Sequence, residues 1–332
     1  MAQRVAVIGS GTWGTAVTHL LGGKGYEVSL WTRNENTAQA INQSHHNPRH
    51  LPAIELPNTT ASSDFEQVLR GVDAIVFVTP SAYVRQTAEQ MAPYVDAATP
   101  AVILSKGVEA GTGYTMIEVL ADAFGREDHL ACLAGPNHAE EVSRELIAAT
   151  VVASSEPETA RFFQMLFSTP YFRVYTSDDV LGVELCAAAK NIIAIANGML
   201  VAMNLGDDAS AALITRGLAE ISRLVEAAGG NPRTCAGLAG MGDLVVTCTS
   251  EHSRNRALGT MLAQGGTLEE YESRTHMVAE GAVACRTVTD RARKLGVEMP
   301  IAEAVRQVLW GGLSPEDGID LLVRRPERPE LD

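Results

Sequence analysis

The sequence predicts two domains of different fold class, a doubly wound α/β domain over residues 1–180 and an all-α domain over residues 181–332. Short β-branched, apolar runs alternate with helical stretches in the first part, which is typical of a parallel sheet covered by helices on both faces. After about residue 181, Ala, Leu, Val, Glu and Arg recur at helical spacing instead. A chain of 332 residues also exceeds the size at which a single hydrophobic core usually stops growing.

The individual elements are predicted from local patterns. Strands are predicted at 4–9, 26–33, 73–80, 101–107, 129–136 and 149–154. In the second part, helices are predicted at 182–206, 212–230 and 314–326. Ser314 is the expected N-cap of the last helix, because Pro315 follows at its first position and Asp317 at its third.

The helix predicted at 182–206 is long enough to span a membrane, but its polar residues argue against this. Glu184, Lys190 and three asparagines interrupt it, and a charge at the centre of a bilayer is costly. We therefore expect a buried helix and no stable insertion into a membrane. Lys190 then either extends its amine to solvent or lies in a desolvated pocket that lowers its pKa.

Composition and charge argue against several classes of function. The net charge of −14 makes general affinity for nucleic acid or anionic membranes unfavourable. The five cysteines are odd in number and contain no CxxC pair, so reduced thiols are expected rather than disulfides or a zinc site. The first residues run into a strand pattern without the segments of a signal peptide, so a cytoplasmic location is expected.

A glycine motif near the N-terminus predicts a dinucleotide site of the Rossmann type. The stretch VAVIGSGTWGTA carries Gly9, Gly11 and Gly14 as G-x-G-x-x-G, between a predicted strand and a helix. Gly9 permits a tight turn, Gly11 lets the backbone approach a pyrophosphate, and Gly14 lets helix and strand pack closely. Arg33 ends the second strand, where NAD-only sites usually have an acid, so a 2′-phosphate can be accepted there. The alternative is that Arg33 is an ordinary loop residue.

Two further segments suit an anionic ligand. Lys106 in ILSKGVE follows an apolar strand, and LAGPNHAEEV places a Gly-Pro turn after another strand, before a helix that starts around 137–139. Doubly wound folds bind ligands outside the carboxyl ends of such strands. The stretch SRNR offers Ser253, Arg254 and Asn255 at an apparent helix start, where several donors together suit a phosphate.

Seven motifs in this chain point to one family. They are GSGTWGTA, SKGVE, AGPNHAEEV, AAAKNIIAIANG, GLAGMGDLVVTCTS, SRNRALG and VAEGA. In order and approximate spacing, and over essentially the whole chain, the sequence resembles the bacterial-type NAD(P)-dependent glycerol-3-phosphate dehydrogenases. The resemblance implies a Rossmann-like domain followed by a helical domain like that of 6-phosphogluconate dehydrogenase. It also implies reversible reduction of dihydroxyacetone phosphate to sn-glycerol 3-phosphate with NADH or NADPH, a role in glycerophospholipid synthesis, and a cytoplasmic homodimer.

The resemblance also assigns roles by position. Besides the glycines, the positions that contact the cofactor fall on Thr12, Trp13, Arg33, His50, Lys106, Ala139, Arg254, Val278 and Glu280. Positions that contact the substrate fall on Lys106, Gly135, Asn137, Lys190, Asp243, Ser253, Arg254 and Asn255. Asn137 replaces the usual serine or threonine of the family with an amide that can still donate a hydrogen bond.

Lys190 matches the proton-transferring lysine of the family, and elementary chemistry agrees with that role. Reduction of a ketone needs a hydride at carbon and a proton at the developing alkoxide, so a cation beside this oxygen stabilises charge and supplies the proton. Asp243, in the glycine-rich GMGDL, either accepts from substrate hydroxyls or holds Lys190 by charge.

Two other functions stay open from the sequence alone. A related dehydrogenase of a hydroxy acid or ketopantoate would share the architecture, although Lys106 and SRNR favour a phosphorylated substrate. A non-enzymatic nucleotide sensor would keep the α/β domain and would not need Lys190. A metal at His45, His46 and His50 is not expected, because no Cys or Asp completes a ligand set nearby and hydride transfer from nicotinamide needs no metal.

Overall fold

An eight-stranded sheet organises the first part of the chain. The computed structural model describes residues 3–275, 279–327 and 329–330. The strands are β1 (Arg4–Ile8), β2 (Glu27–Trp31), β3 (Thr59–Ser62), β4 (Ala74–Phe77), β5 (Ala101–Ile103), β6 (Leu130–Ala134), β7 (Ala148–Ala153) and β8 (Phe172–Ser177). Their order in the sheet is β3-β2-β1-β4-β5-β6-β7-β8. The order reverses between β1 and β4, which is where doubly wound folds bind ligands.

The predicted parallel sheet is confirmed for β1 to β6, but β7 and β8 run in the opposite direction. β6 and β7 pair antiparallel, whereas the other neighbouring pairs are parallel. The connection between them holds only the single helical turn Ala139–Val142, not the full helix that usually joins two parallel strands. Two edge strands were also absent from the sequence prediction: β3 has a single alanine as its apolar residue, and β8 alternates polar and apolar residues.

Helices cover both faces of the sheet and form the second part. Those before residue 180 are α1 (Thr12–Gly23), α2 (Glu35–Ser44), α3 (Phe65–Leu69), α4 (Val84–Met91), α5 (Met116–Phe124), α6 (Ala139–Val142) and α7 (Pro157–Phe167). The later ones are α8 (Val180–Ala202), α9 (Asp207–Ala227), α10 (Asp243–Thr249), α11 (Arg254–Ala263), α12 (Leu268–Thr275), α13 (Glu280–Lys294), α14 (Pro300–Trp310) and α15 (Pro315–Val323). A π-helical segment, Leu238–Gly242, leads into α10.

The three helices predicted in the second part are confirmed as α8, α9 and α15, with ends shifted by a few residues. The hydroxyl of Ser314 accepts the backbone N–H of Asp317 at 3.0 Å, so Ser314 is the N-cap as predicted. All five cysteines are buried free thiols.

Helix α8 is the central helix of the second part. It packs against α9, α10, α11, α13 and α14, and also against β6. Among the described residues it is the one helix with the length and hydropathy of a membrane span, but 89% of its apolar window is buried inside the protein. Its apolar composition is therefore that of a core helix, as the sequence predicts.

Two glycines set the crossing of α8 and α11. A Cβ on Gly198 of α8 would lie 2.1 Å from the carbonyl oxygen of Arg256, and one on Gly259 of α11 would lie 1.9 Å from that of Ile195. Backbone therefore packs against backbone, which no larger residue allows at this distance. The crossing holds the SRNR stretch at the start of α11 against the helix that carries Lys190.

Candidate active site

The glycine motif forms the tight turn that a dinucleotide requires. Gly9 has a φ of +125°, in the region that favours glycine. A Cβ on Gly14 would lie 1.9 Å from the carbonyl oxygen of Gly9, so glycine is needed for α1 to pack this closely. Gly11 is the N-cap of α1, and a Cβ there would project into open space. The exposed backbone at the N-terminus of α1 therefore fits a pyrophosphate, whose charge the helix dipole favours.

His50 connects the glycine turn with the second part of the chain. Its Nδ1 lies 3.3 Å from the hydroxyl of Thr12. Burial lowers the pKa of His50, and the charges of Arg49 and Arg254 lower it further. The charge of Arg254, at the start of α11, therefore acts on a side chain that is bonded to the glycine turn.

The Arg33 side chain is exposed, whereas that of Trp13 is partly buried. Arg33 is exposed just beyond β2, and its guanidinium carbon lies 6.0 Å from the centroid of the Tyr83 ring. Tyr83 follows β4, so this pair flanks the carboxyl end of β1, where the cofactor of a Rossmann fold lies. The Trp13 ring instead packs edge-on against Phe172, with 6.5 Å between ring centroids. Trp13 lies in the first turn of α1, where backbone N–H groups have no acceptor within the helix and are available to a phosphate.

One buried carboxylate joins two lysines at the centre of the site. The Asp243 Oδ2 atom accepts from Nζ of Lys106 at 2.9 Å, and its Oδ1 atom accepts from Nζ of Lys190 at 2.5 Å. The side chain of Asp243 is 3% exposed, that of Lys190 6% and that of Lys106 18%. The bridge therefore connects the loop after β5 with α8 and α10, largely shielded from water.

The pKa values of this cluster follow from burial and charge. Burial lowers the pKa of Lys190 to about 8, and the charge of Asp243 limits the fall. Burial alone would raise the pKa of Asp243, but the charges of Lys106 and Lys190 outweigh it and hold this pKa below its usual value. Lys190 can therefore exchange a proton near neutral pH, while Asp243 stays ionised.

The Gly-Pro turn after β6 lies against the same cluster. A Cβ on Gly242, next to Asp243, would lie 3.5 Å from the ring of Pro136. Gly135 has a φ of +155°, and a Cβ there would lie 2.8 Å from the Thr150 Cα atom. The Asn137 amide donates to the hydroxyl of Thr150 at 3.0 Å. This bond to β7 fixes Asn137 in place while its carbonyl oxygen and second amide hydrogen remain for a ligand.

The start of α11 gathers the predicted phosphate donors. Ser253 is the N-cap of the helix, and its hydroxyl accepts the backbone N–H of Arg256 at 3.2 Å. The carbonyl oxygen of the Asn255 side chain accepts the N–H of Gly281 at 3.1 Å, which leaves its amide hydrogens for a ligand. Arg254, the first residue of the helix, is exposed. The helix N-terminus therefore adds its dipole to these side-chain donors.

Two of the remaining predicted cofactor positions lie at the starts of helices. Ala139 is the first residue of α6 and is buried. Glu280 is the first residue of α13, and it precedes Gly281, which is bound to Asn255. Val278 lies outside the described residues.

Thr247 and His138 were not predicted from the sequence as site residues. Thr247 accepts from Nζ of Lys190 at 2.8 Å. It lies four residues after Asp243 in α10, so helical spacing alone would have placed it on the same face. The buried Nε2 atom of His138 has no hydrogen-bond partner among the described residues. Burial lowers the pKa of His138, and the charges of Lys190 and Lys106 lower it further, while that of Asp243 opposes them.

Comparison with known sequences identifies the family. Residues 4–160 match the family described as NAD-dependent glycerol-3-phosphate dehydrogenase N-terminus. Residues 179–320 match the corresponding C-terminus. The chain belongs to this family. The reaction of NAD-dependent glycerol-3-phosphate dehydrogenases is the reversible reduction of dihydroxyacetone phosphate with NADH or NADPH.

Individual glycerol-3-phosphate dehydrogenases are similar over nearly the full length. One from Syntrophomonas wolfei is 43% identical over 332 residues, which cover 99% of this chain and 97% of the relative. Another from Streptomyces griseus is 45% identical over 329 residues, 98% of each chain. The crystal structure of glycerol-3-phosphate dehydrogenase from Coxiella burnetii superposes with a TM-score of 0.92 at 36% identity, covering 97% of this chain and 99% of that one.

Replacement of the bridging carboxylate tests the electrostatics of this dehydrogenase site. Asp243→Asn keeps the size of the side chain but removes the charge that two neighbouring lysine ammonium groups share. We expect the free energy of unfolding at pH 7, measured with urea, to fall by about 3 kcal/mol, since breaking a buried ion pair strands its partner. Asp178→Asn, at an exposed residue, is the matched control. Equal stability of the two variants would contradict the buried bridge.

Proposed function

We propose that this chain reduces dihydroxyacetone phosphate to sn-glycerol 3-phosphate, and catalyses the reverse oxidation, through the residues of the cluster around Asp243. The observation that carries the proposal is the bridge from Lys106 through Asp243 to Lys190. It holds a proton-exchanging amine beside a second cation, near a helix start that offers donors to a phosphate. Membership of the family supports the same reaction.

The geometry of the glycine turn supports the part of the proposed cofactor site that lies at the start of α1. When bound, reduced nicotinamide supplies the hydride. The backbone at Gly9, Gly11, Thr12, Trp13 and Gly14 holds the pyrophosphate at the start of α1, because the N–H groups there are open and the helix dipole is favourable. The other cofactor contacts are assigned to Arg33, His50, Lys106, Ala139, Arg254, Val278 and Glu280.

The substrate-binding residues divide between phosphate and carbonyl. The assigned contacts are Lys106, Gly135, Asn137, Lys190, Asp243, Ser253, Arg254 and Asn255. Ser253, Arg254 and Asn255 hold the phosphate, since they combine charge, hydrogen-bond donors and the N-terminus of α11. Lys106 adds a second positive charge, since it donates to Oδ2 of Asp243 while Lys190 donates to Oδ1.

Lys190 transfers the proton. During reduction its ammonium donates a hydrogen bond to the substrate carbonyl oxygen and then gives a proton to the developing alkoxide. In the oxidation the neutral amine takes the proton back from the hydroxyl. Asp243 and Thr247 fix Nζ of Lys190 during both steps, because each accepts a hydrogen bond from it.

Several broader assignments belong to the same proposal. Residues 1–180 supply most of the cofactor contacts, and residues 181–332 supply the proton donor and most phosphate contacts. The product supplies glycerophospholipid synthesis in the cytoplasm, and the enzyme is a homodimer.

Ile147, 92% exposed, together with the neighbouring Leu146, provides apolar surface suited to a subunit contact. Light scattering measures the mass in solution, and a monomer at micromolar concentration would contradict the dimer.

The decisive experiment follows NADPH oxidation in the presence of dihydroxyacetone phosphate. The wild type should oxidise NADPH, and Lys190→Ala should lower kcat by about 100- to 10,000-fold because the general acid is lost. The Kd for NADPH should change little. Lys294→Ala, at an exposed lysine of α13, is the control and should retain full activity. Preference of the wild type for a non-phosphorylated 2-oxo acid, or an unchanged rate in Lys190→Ala, would overturn the proposal.

Arg33 should govern the use of NADPH. In Arg33→Ala, the kcat/KM for NADPH should fall at least about tenfold relative to that for NADH, because a charged hydrogen bond to the 2′-phosphate is lost. Arg173→Ala is the matched control, since Arg173 also packs against a tyrosine ring, 5.1 Å from that of Tyr175 on edge strand β8. An equal loss with both cofactors would show that Arg33 does not read the 2′-phosphate.

A further inference from the structure

Glu184 is a buried carboxylate of α8 that the proposed mechanism does not use. It is 6% exposed, and its Oε1 atom accepts the backbone N–H of Ile117 at 2.9 Å, in the first turn of α5. Its Oε2 atom is also buried, and no described residue donates to it with hydrogen-bond geometry, although the Thr115 hydroxyl and the Met116 N–H at the start of α5 lower the pKa of this carboxyl. Burial raises the pKa of Glu184 to about 7. A carboxylate oxygen buried without a donor is costly, so a further partner is expected.

A small cavity adjoins this carboxylate. Its volume is about 10 Å³, close to the room that one water molecule requires. Glu184 and Ala187 line it from α8, and Ser105, Lys106 and Gly107 line it from the loop after β5. The rest of the lining is largely apolar: Ile103, Cys132, Leu133, Ala134 and Val183. A buried water needs two or more polar partners, so one in this cavity would bind the carboxylate on one side and the loop 105–107 on the other.

The loop that carries Lys106 is held on its other side by direct contacts. The hydroxyl of Ser105 donates to the carbonyl oxygen of Thr79. A Cβ on Gly107 would lie 2.8 Å from the Cβ of Ser81, so the loop packs closely on the segment after β4. On its α8 side, this loop adjoins the cavity.

We propose that Glu184 is a positioning residue for Lys106, acting through one buried water that joins its Oε2 atom to the loop 105–107. Oε1 fixes the carboxylate to the N-terminus of α5. The water binds both the carboxylate and the loop, and so restrains the loop. Lys106 then reaches Asp243 from a loop held on both sides. The inference rests on the substrate contact proposed for Lys106.

Glu220 of α9 provides a matched comparison within the same chain. It is a buried carboxylate whose pKa burial also raises to about 7. Its two oxygens accept the N–H groups of Ile301 at 2.7 Å and Ala302 at 3.4 Å, at the start of α14. Each carboxylate therefore accepts from the first turn of another helix. Of the two, only Glu184 has an oxygen with no geometric donor among the described residues, and Glu184 also lines the cavity beside Lys106.

Steady-state kinetics of the full-length protein separate positioning from general stability. Glu184→Leu removes both oxygens at similar volume, so we expect the KM for dihydroxyacetone phosphate to rise about tenfold or more, with a smaller change in kcat and in the Kd for NADPH. Glu184→Gln can still accept from Ile117 and bind the water, and should restore the KM to within about threefold of wild type. Glu220→Leu should lower the melting temperature without raising the KM.

Two results would overturn the proposal. One is a KM in folded Glu184→Leu that stays at the wild-type value, or that rises no more than in Glu220→Leu. The other is a high-resolution crystal structure of the wild type in which no ordered water joins Glu184 to the loop 105–107. The crystal structure decides even if Glu184→Leu fails to fold. It is also independent of substrate, so a wild type that does not reduce dihydroxyacetone phosphate would refute the proposed function and leave this water site to be judged separately.

Discussion

The shared carboxylate of Asp243 is the interaction on which the site depends. Two ammonium groups repel each other strongly in a medium of low dielectric, so Lys106 and Lys190 can lie this close together only because Asp243 accepts from both. The carboxylate in turn could not stay ionised at 3% exposure without them. The three groups therefore form a unit with net positive charge, suited to a substrate that brings a phosphate and develops an alkoxide.

The fold supplies this unit from three separate segments. Lys106 follows a sheet strand, Lys190 lies in the central helix α8, and Asp243 begins α10 after a π-helical segment. The glycine contacts between α8 and α11 add the phosphate donors from a fourth segment, since they allow the two backbones to touch. Close packing thus excludes water from the cluster, and the lower dielectric is what brings the pKa of Lys190 to about 8.

Patterns within short stretches of sequence predicted much of this structure, but they could not predict which residues far apart in sequence contact each other. The glycine turn was predictable because its three glycines, strand and helix lie within a few residues of one another. Lys190 stood out as a cation in an apolar helix, but Asp243 lies 53 positions away from it and 137 from Lys106, and no periodicity connects such distances. Whether Asp243 binds Lys190 therefore stayed open until the fold was known. The strand β7 was predicted, but its reversed direction, which β8 shares, was not, because strand direction depends on the connection and not on the strand sequence.

The most direct test of proton donation by Lys190 is the pH dependence of kcat/KM for ketone reduction between about pH 7 and pH 10. Only the ammonium form of Lys190 can donate the proton, and burial lowers its pKa to about 8. The value of kcat/KM should therefore be level below this pKa and fall about tenfold per pH unit above it. The residual activity of Lys190→Arg should lack this step, since a guanidinium stays protonated throughout. A wild-type profile that stays level to pH 10 would contradict proton donation by Lys190.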